Sequence, residues 1–356
     1  MGIMTPAAPV PAIFEKTASS RMVWVDVARV VACILIIANH MAFYSAELYR
    51  WIWAEFLAAR TPFFLLVAGY FVGRGSFGSL DGGFFLWKRS WFLFRPYLVW
   101  GLAAAVLIGW SPLHEYHESY VPLYAWLNGE AGSGFWEALA AFGRCLGIAG
   151  HPVDAPMWFL RDIIVYTAAA PLLHRLGSYL LWAGLLMLSL NYFALDLADH
   201  DYPIANSLGF FLVGMFVSRF SLPELTAAVR QYAVPLLLCT LVLTWWLVDH
   251  RDQHNSMLIA LGMLGLMSLA ILFTEWFPRA AKWVAGLAPA CFFIFGTHYI
   301  LIILLRESGW ITLRGTAWDI LWLCLVPVIF AVLAALFFCM KRFAPRLVPL
   351  LGAYGK

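Results

Sequence analysis

Three ionisable side chains stand inside one apolar run near the N-terminus, the stretch Val23–Phe43: Asp26, Arg29 and His40. Charge within a run long enough to cross a bilayer is costly, so each residue points to function before it points to fold. Arg29 and His40 are eleven positions apart, three helical turns and a small remainder, which puts them on one face. Asp26 lies one turn before Arg29 and can pair with it. Imidazole exchanges protons near neutral pH, and guanidinium holds anions. The stripe can therefore serve proton transfer next to an anion site. It can equally be a structural ion pair with His40 satisfied in the core.

Other apolar stretches carry further candidates. Arg60 precedes Thr61-Pro62-Phe63-Phe64 and can either bind an anion in a cavity or snorkel to the interface. Lys88 and Arg89 open the third apolar segment, and Arg95, just before Pro96, lies deeper and is the better contact for a phosphate-rich ligand. Arg161 and Asp162 are adjacent within Met157–Leu173, so their side chains leave the helix on different faces and need not pair with each other. His298, within Phe292-Phe293-Ile294-Phe295-Gly296-Thr297-His298-Tyr299, can be a ligand, a relay or a satisfied core residue.

Only a membrane supports such a set. The 356 residues are 63% hydrophobic and 12% charged, with a mean hydropathy of +0.80. Soluble domains average roughly 45–50% apolar and about 25% charged residues. Roughly ten segments approach the length of a span: Val23–Phe43, Trp53–Val72, Trp91–Trp110, Met157–Leu173, Tyr179–Leu195, Ile204–Val217, Ala233–Val248, Met257–Trp276, Pro289–Leu305 and Ile320–Met340. The expected fold is all-α, a polytopic membrane protein of about ten transmembrane helices. Residues 1–20 form an N-terminal segment, 21–342 the membrane domain and 343–356 a tail. The first apolar run is too long for a signal peptide and reads as a retained span.

Basic residues fall on alternate loops: Lys16 and Arg21, then Arg74, Lys88 and Arg89, then Arg175, Arg219 with Arg230, Arg279 with Lys282, and the tail with Lys341, Arg342, Arg346 and Lys356. Acidic residues gather on the others, among them Glu115, Glu118, Asp154, Asp196, Asp199, Asp201, Asp249 and Asp252. Arg50, Arg144, Arg251, Arg306 and Arg314 break the pattern. The Lys/Arg bias sets both termini in the cytoplasm. The segment 111–156 is then an extracytoplasmic loop, and Phe135–Ile148 has the spacing of an amphipathic helix.

Several function classes have no support. The chain lacks G-x-S-x-G, a Walker A sequence and H-E-x-x-H. Its six cysteines are scattered with no metal-ligand spacing, so no metal is expected. No basic run suits nucleic acid.

Four stretches in order resemble the integral membrane acyltransferase family 3, O-acyltransferases of bacterial glycans. They are Trp24-Val25-Asp26-Val27-Ala28-Arg29 with Asn39-His40; Arg60-Thr61-Pro62-Phe63-Phe64 through Gly69-Tyr70-Phe71; Met157-Trp158-Phe159-Leu160-Arg161-Asp162; and Phe293-Ile294-Phe295-Gly296-Thr297-His298. Ala68 stands where the family often has Ser, and Arg89 and Arg95 are six apart where it often has R-x-x-R, so the resemblance assigns no single arginine to the donor. No esterase-like domain follows the spans, so a stand-alone membrane form is expected.

The resemblance implies transfer of an acyl group, most often acetyl, from acyl-CoA to a sugar hydroxyl, in the inner membrane of a bacterium. It implies catalytic roles for His40, Arg29 and Asp26. Arg60, Arg89, Arg95 and Arg161 are the candidates for the donor, and Asn39, Trp158, Asp162 and His298 for the acceptor. Expected partners are a glycan or polysaccharide acceptor, the lipid bilayer, and either a second copy of the chain or polysaccharide-export machinery. A secondary transporter would also hold His, Asp and Arg inside its spans.

Overall fold

The structure is a computed structural model that describes residues 22–41, 60–75, 80–109, 134–146, 154–193, 204–247, 256–307 and 316–352. Every regular element among them is helical, with no strand. An apolar chain in hydrocarbon has no water to satisfy its amides, and a helix pairs them within the segment. In chain order the helices are α1 (Val23–Met41), α2 (Arg60–Gly73), α3 (Leu80–Gly109), α4 (Phe135–Cys145), α5 (Trp158–His174), α6 (Tyr179–Phe193), α7 (Ile204–Val217), α8 (Leu222–Gln231), α9 (Ala233–Leu247), α10 (Ser256–Trp276), α11 (Pro278–Leu287), α12 (Cys291–Glu307) and α13 (Thr316–Phe343).

Each apolar segment read from the sequence overlaps one of these helices. Among the described residues, five stretches are long and apolar enough by themselves to cross a membrane: Val23–Met41, Trp87–Leu107, Ile259–Trp276, Pro278–Leu305 and Cys324–Phe343. Helices α2, α6 and α9 are apolar but shorter. Large apolar side chains stand exposed along the outside of the bundle, including Leu172, Trp182, Val242 and Val332, as a surface facing lipid requires.

Several boundaries differ from the sequence reading, among them the start of α3, which lies at Leu80, eleven residues before Trp91. The short segment Ile204–Val217 does not stop at a loop: after a 107° bend the chain continues as α8. A capping box makes that turn. Ser221 Oγ accepts from the Glu224 amide at 3.4 Å, and Glu224 Oε2 accepts from the Ser221 amide at 2.7 Å. Arg279 and Lys282 sit on a helix, α11, which leads through the 3₁₀ turn Ala288–Ala290 into α12. Pro278 at its first position favours that start.

The first helix occupies the centre. It packs against α2, α10, α11, α12 and α13, and of its apolar residues Ala28, Ala32 and Ile37 are almost wholly buried. Hydrogen bonds hold it at two levels. Trp24 Nε1 donates to Thr226 Oγ1 of α8 at 3.0 Å. Cys33 Sγ donates to the Cys291 carbonyl at 3.7 Å, and Cys291 Sγ donates back to the Arg29 carbonyl at 3.8 Å.

Beside it, α2 and α7 approach until their backbones touch. A side chain at Gly69 would strike the Phe211 carbonyl oxygen, one at Gly214 the Leu66 carbonyl oxygen, and one at Gly73 the Ser218 hydroxyl. Small residues four apart, as Gly69 and Gly73 are, permit such close helix pairing in a bilayer. Gly69→Leu is expected to force α2 and α7 apart and to cost about 1–3 kcal/mol. Thermal melting of the detergent-solubilised protein measures this, and an unchanged melting temperature would contradict the contact.

Candidate functional site

His40 lies in the last turn of α1, partly exposed. Two consecutive residues of α12 face it. The His298 ring stands 5.3 Å away between centroids, tilted by 54°. The Tyr299 ring stands 5.1 Å away and nearly edge-on, at 77°. Arg60, the first residue of α2, brings its positive charge to bear on His40. Phe295 of α12 lies 5.9 Å from His298 and packs edge-on against Phe159 of α5 at 4.2 Å. Phe64 of α2 continues the aromatic lining, 6.2 Å from Phe159. α1, α2 and α12 thus converge at one imidazole, faced by two rings of α12 and acted on by the charge of Arg60.

His298 is fully buried. Its Nδ1 sits 3.1 Å from the Ile294 carbonyl oxygen and 2.8 Å from that of Phe295. Its Nε2 is buried without a hydrogen-bond partner among the described residues.

The remaining residues singled out in the sequence fall into separate groups. Asp26 and Arg29 are paired at 3.5 Å, with Asp26 buried and the Arg29 side chain 43% exposed. Eleven residues of helix separate Arg29 from His40 by about 16 Å along the axis. No small group can touch both, whereas an extended ligand can. Asn39, next to His40, is partly exposed. Trp158 is half-buried and edge-on to Phe159.

Arg161 and Asp162, expected to point apart, pair with each other: Arg161 Nε and Nη2 donate to Asp162 Oδ1 at 3.2 and 3.1 Å. The arginine stem is long enough to curl back around the helix. Asp162 also reaches a neighbouring helix: Ser207 Oγ of α7 donates to its Oδ2 at 2.8 Å, and Tyr166 OH of α5 donates at 3.4 Å. A buried carboxylate supplied with donors in this way stays affordable. On α3, Arg89 and Arg95 are half-buried, and Arg95 Nε is buried without a partner among the described residues. The expected loop residues Glu115, Glu118, Asp196, Asp199, Asp201, Asp249 and Asp252 lie outside the described residues, as do Lys16, Arg21, Arg50, Arg251, Arg314 and Lys356.

Three further residues stand out in the structure. Tyr299 was visible as the neighbour of His298, but a tyrosine in an apolar helix gives no sign of what it faces. Tyr97 of α3 donates its hydroxyl to the Leu146 carbonyl, tying the end of α4 to the bundle. Asp154, read as one more acidic loop residue, is fully buried just before α5, and both of its carboxylate oxygens lack partners among the described residues. Burial alone pushes its carboxyl well above the usual range.

Among the described residues no cluster of His, Cys, Asp or Glu could hold a metal ion. An apolar groove of about 650 Å³ runs between α1, α10, α11 and α13, lined by Val30, Ile34, Phe273, Trp283 and Phe330. It is almost devoid of polar surface, and His40 does not line it, so it contributes no chemistry to this site.

A family model described as an acyltransferase domain matches residues 22–340. No curated protein and no solved structure matches the chain.

Asp154 gives this region a pH signature. Its folded-state value is raised, so its contribution to stability is complete below the ordinary carboxylate value of about 4 and is lost as pH rises through the raised value. Asp154→Asn removes the titration. The variant is expected to gain on the wild type in thermal stability as pH climbs from 4 to 8, with parallel pH curves as the contrary result.

Proposed function

The chain belongs to the acyltransferase family 3 membrane proteins, and from that premise we propose that it moves an acyl group, most simply acetyl, from acyl-CoA to a hydroxyl of a cell-surface or exported polysaccharide or its lipid-linked precursor. The observation that carries this reading is the junction of α1, α2 and α12, where His40 meets His298 and Tyr299 beside the charge of Arg60. We read the chain as ten crossings of a bacterial inner membrane with both termini cytoplasmic, on the Lys/Arg bias of its loops. Arg29 then lies toward the cytoplasm and His40 toward the outside.

A sugar hydroxyl is a poor nucleophile until a base takes its proton, and neutral imidazole is suited to that near pH 7. His40 removes the proton as the hydroxyl oxygen attacks the thioester carbonyl. The C–S bond breaks, the acyl group stays on the sugar oxygen, and His40 returns the proton to the departing thiolate. Arg60 stands where its charge stabilises the oxyanion that forms on the carbonyl oxygen. Arg29, oriented by Asp26, holds the anionic end of the donor about 16 Å away, a separation that suits the length of an acyl-CoA. Arg89 and Arg95 on α3 are further contacts for its phosphates, whereas Arg161, bound to Asp162 at the start of α5, goes with the acceptor's end. Asn39, Trp158 and Asp162 accompany the acceptor, which enters from the side opposite the donor. Direct transfer within a ternary complex needs no acyl-enzyme.

Membranes holding the protein, given radiolabelled acetyl-CoA and candidate glycans, test the reading. Wild type is expected to label the glycan, and His40→Ala to lose about 100-fold to 10,000-fold of that rate. Label that never reaches a glycan, or a His40→Ala variant as active as wild type, would overturn it. Flux of a solute without any acylated product would instead favour a transporter.

A further inference from the structure

The ring of His298 is held in one protonation pattern by its surroundings. Its Nδ1 faces two carbonyl oxygens, at 3.1 and 2.8 Å. Carbonyl oxygens only accept hydrogen bonds, so Nδ1 carries the hydrogen. A neutral imidazole has a single N–H, which leaves Nε2 as a bare lone pair. That lone pair is buried and has no partner among the described residues. A buried acceptor in this condition awaits a donor, because leaving it unmade is costly.

His40 is positioned to supply the donor. With 5.3 Å between the ring centroids, a nitrogen–nitrogen gap of hydrogen-bond length opens when the ring edges turn toward each other. The other charged group acting on His40, Arg60, can only donate. His298 Nε2 can only accept.

We infer that His298 is a positioning residue: its Nε2 accepts the N–H of His40 and thereby fixes the tautomer in which the opposite nitrogen of His40 faces the acceptor hydroxyl. The inference rests on the reading of His40 as the base. A base needs a third group to orient it, and in hydrolase triads that group is a carboxylate. Inside hydrocarbon a carboxylate carries a heavy burial cost, while a neutral imidazole fills the same role uncharged. The proton count closes. His40 gains the hydroxyl proton on one nitrogen, keeps the shared N–H on the other, and returns the gained proton to the thiolate. His298 ends each cycle unchanged. Its lone pair also spreads the charge of the His40 imidazolium while it exists.

Two substitutions separate the two nitrogens of His298. Asn places its amide near Nδ1 and can keep the bond to the backbone carbonyls, but it has nothing at Nε2. Gln reaches the Nε2 position with an acceptor oxygen and gives up the Nδ1 anchor. In full-length protein in nanodiscs with acetyl-CoA and a labelled glycan, His298→Asn is expected to lose about 100-fold in kcat with KM for acetyl-CoA unchanged. His298→Gln is expected to stay within about tenfold of wild type. The double variant His40→Ala/His298→Asn should be no slower than His40→Ala, because the second residue acts through the first.

A merely structural histidine gives the reverse order, Asn above Gln, and that result overturns the inference, as does a drop that falls on KM alone. If wild type transfers, His40→Ala fails and His298→Asn matches wild type, the positioning role alone is overturned. If His40→Ala matches wild type, the proposed mechanism falls as well.

Discussion

A polar side chain inside hydrocarbon has no water to fall back on, so its partners have to come from the protein. In this chain that requirement falls hardest on α1, which carries Asp26, Arg29 and His40 through an otherwise apolar helix. The packing answers it at successive levels. Near the start, Trp24 reaches Thr226 of α8, and Asp26 and Arg29 hold each other. Midway, Cys33 and Cys291 exchange bonds with the backbones of α1 and α12. At the far end His40 meets His298 and Tyr299. The surrounding helices are placed by what α1 needs enclosed. The close α2–α7 pairing through Gly69 and Gly214 helps seat the start of α2, and with it Arg60 beside His40.

The same constraint explains why the site is spread along a helix. Its cationic end and its imidazole end are about 16 Å apart, so the two are not a contact pair. In the proposed mechanism an elongated donor would rest its phosphates near one end and present its thioester near the other. The acceptor would need to reach only the imidazole end, from the opposite side. Membrane position would then do what a cleft between domains does in a soluble transferase, bringing two substrates from different directions to one base.

Much of this was legible in the sequence for physical reasons. The polar stripe on α1 follows from the 3.6-residue period acting on Asp26, Arg29 and His40. The all-helical architecture follows from apolar runs of span length, and the order of four stretches pointed to the family that the match over residues 22–340 bears out. Other features were not legible, because they depend on which helices become neighbours. Nothing local brings His40 to a histidine 258 positions away, or brings Ser207 of α7 to Asp162 of α5. Asp154 looked like a solvated loop charge, and only its burial against the bundle makes it unusual. The bend after Val217 was written in the sequence as the capping box Ser221-Leu222-Pro223-Glu224, but hydropathy alone does not register such a signal. Arg161 and Asp162 give the converse lesson: backbone directions said they diverge, and side-chain length let them pair.

In the proposed mechanism one site would receive its donor from the cytoplasmic face and its acceptor from the other. Sealed vesicles of a single orientation test this most directly, with acetyl-CoA confined to one side and the glycan to the other. Acylated glycan is expected only when acetyl-CoA is on the cytoplasmic side and the glycan on the opposite one, with His40→Ala vesicles silent in the same arrangement. Transfer that requires both substrates on the same side of the membrane would contradict it.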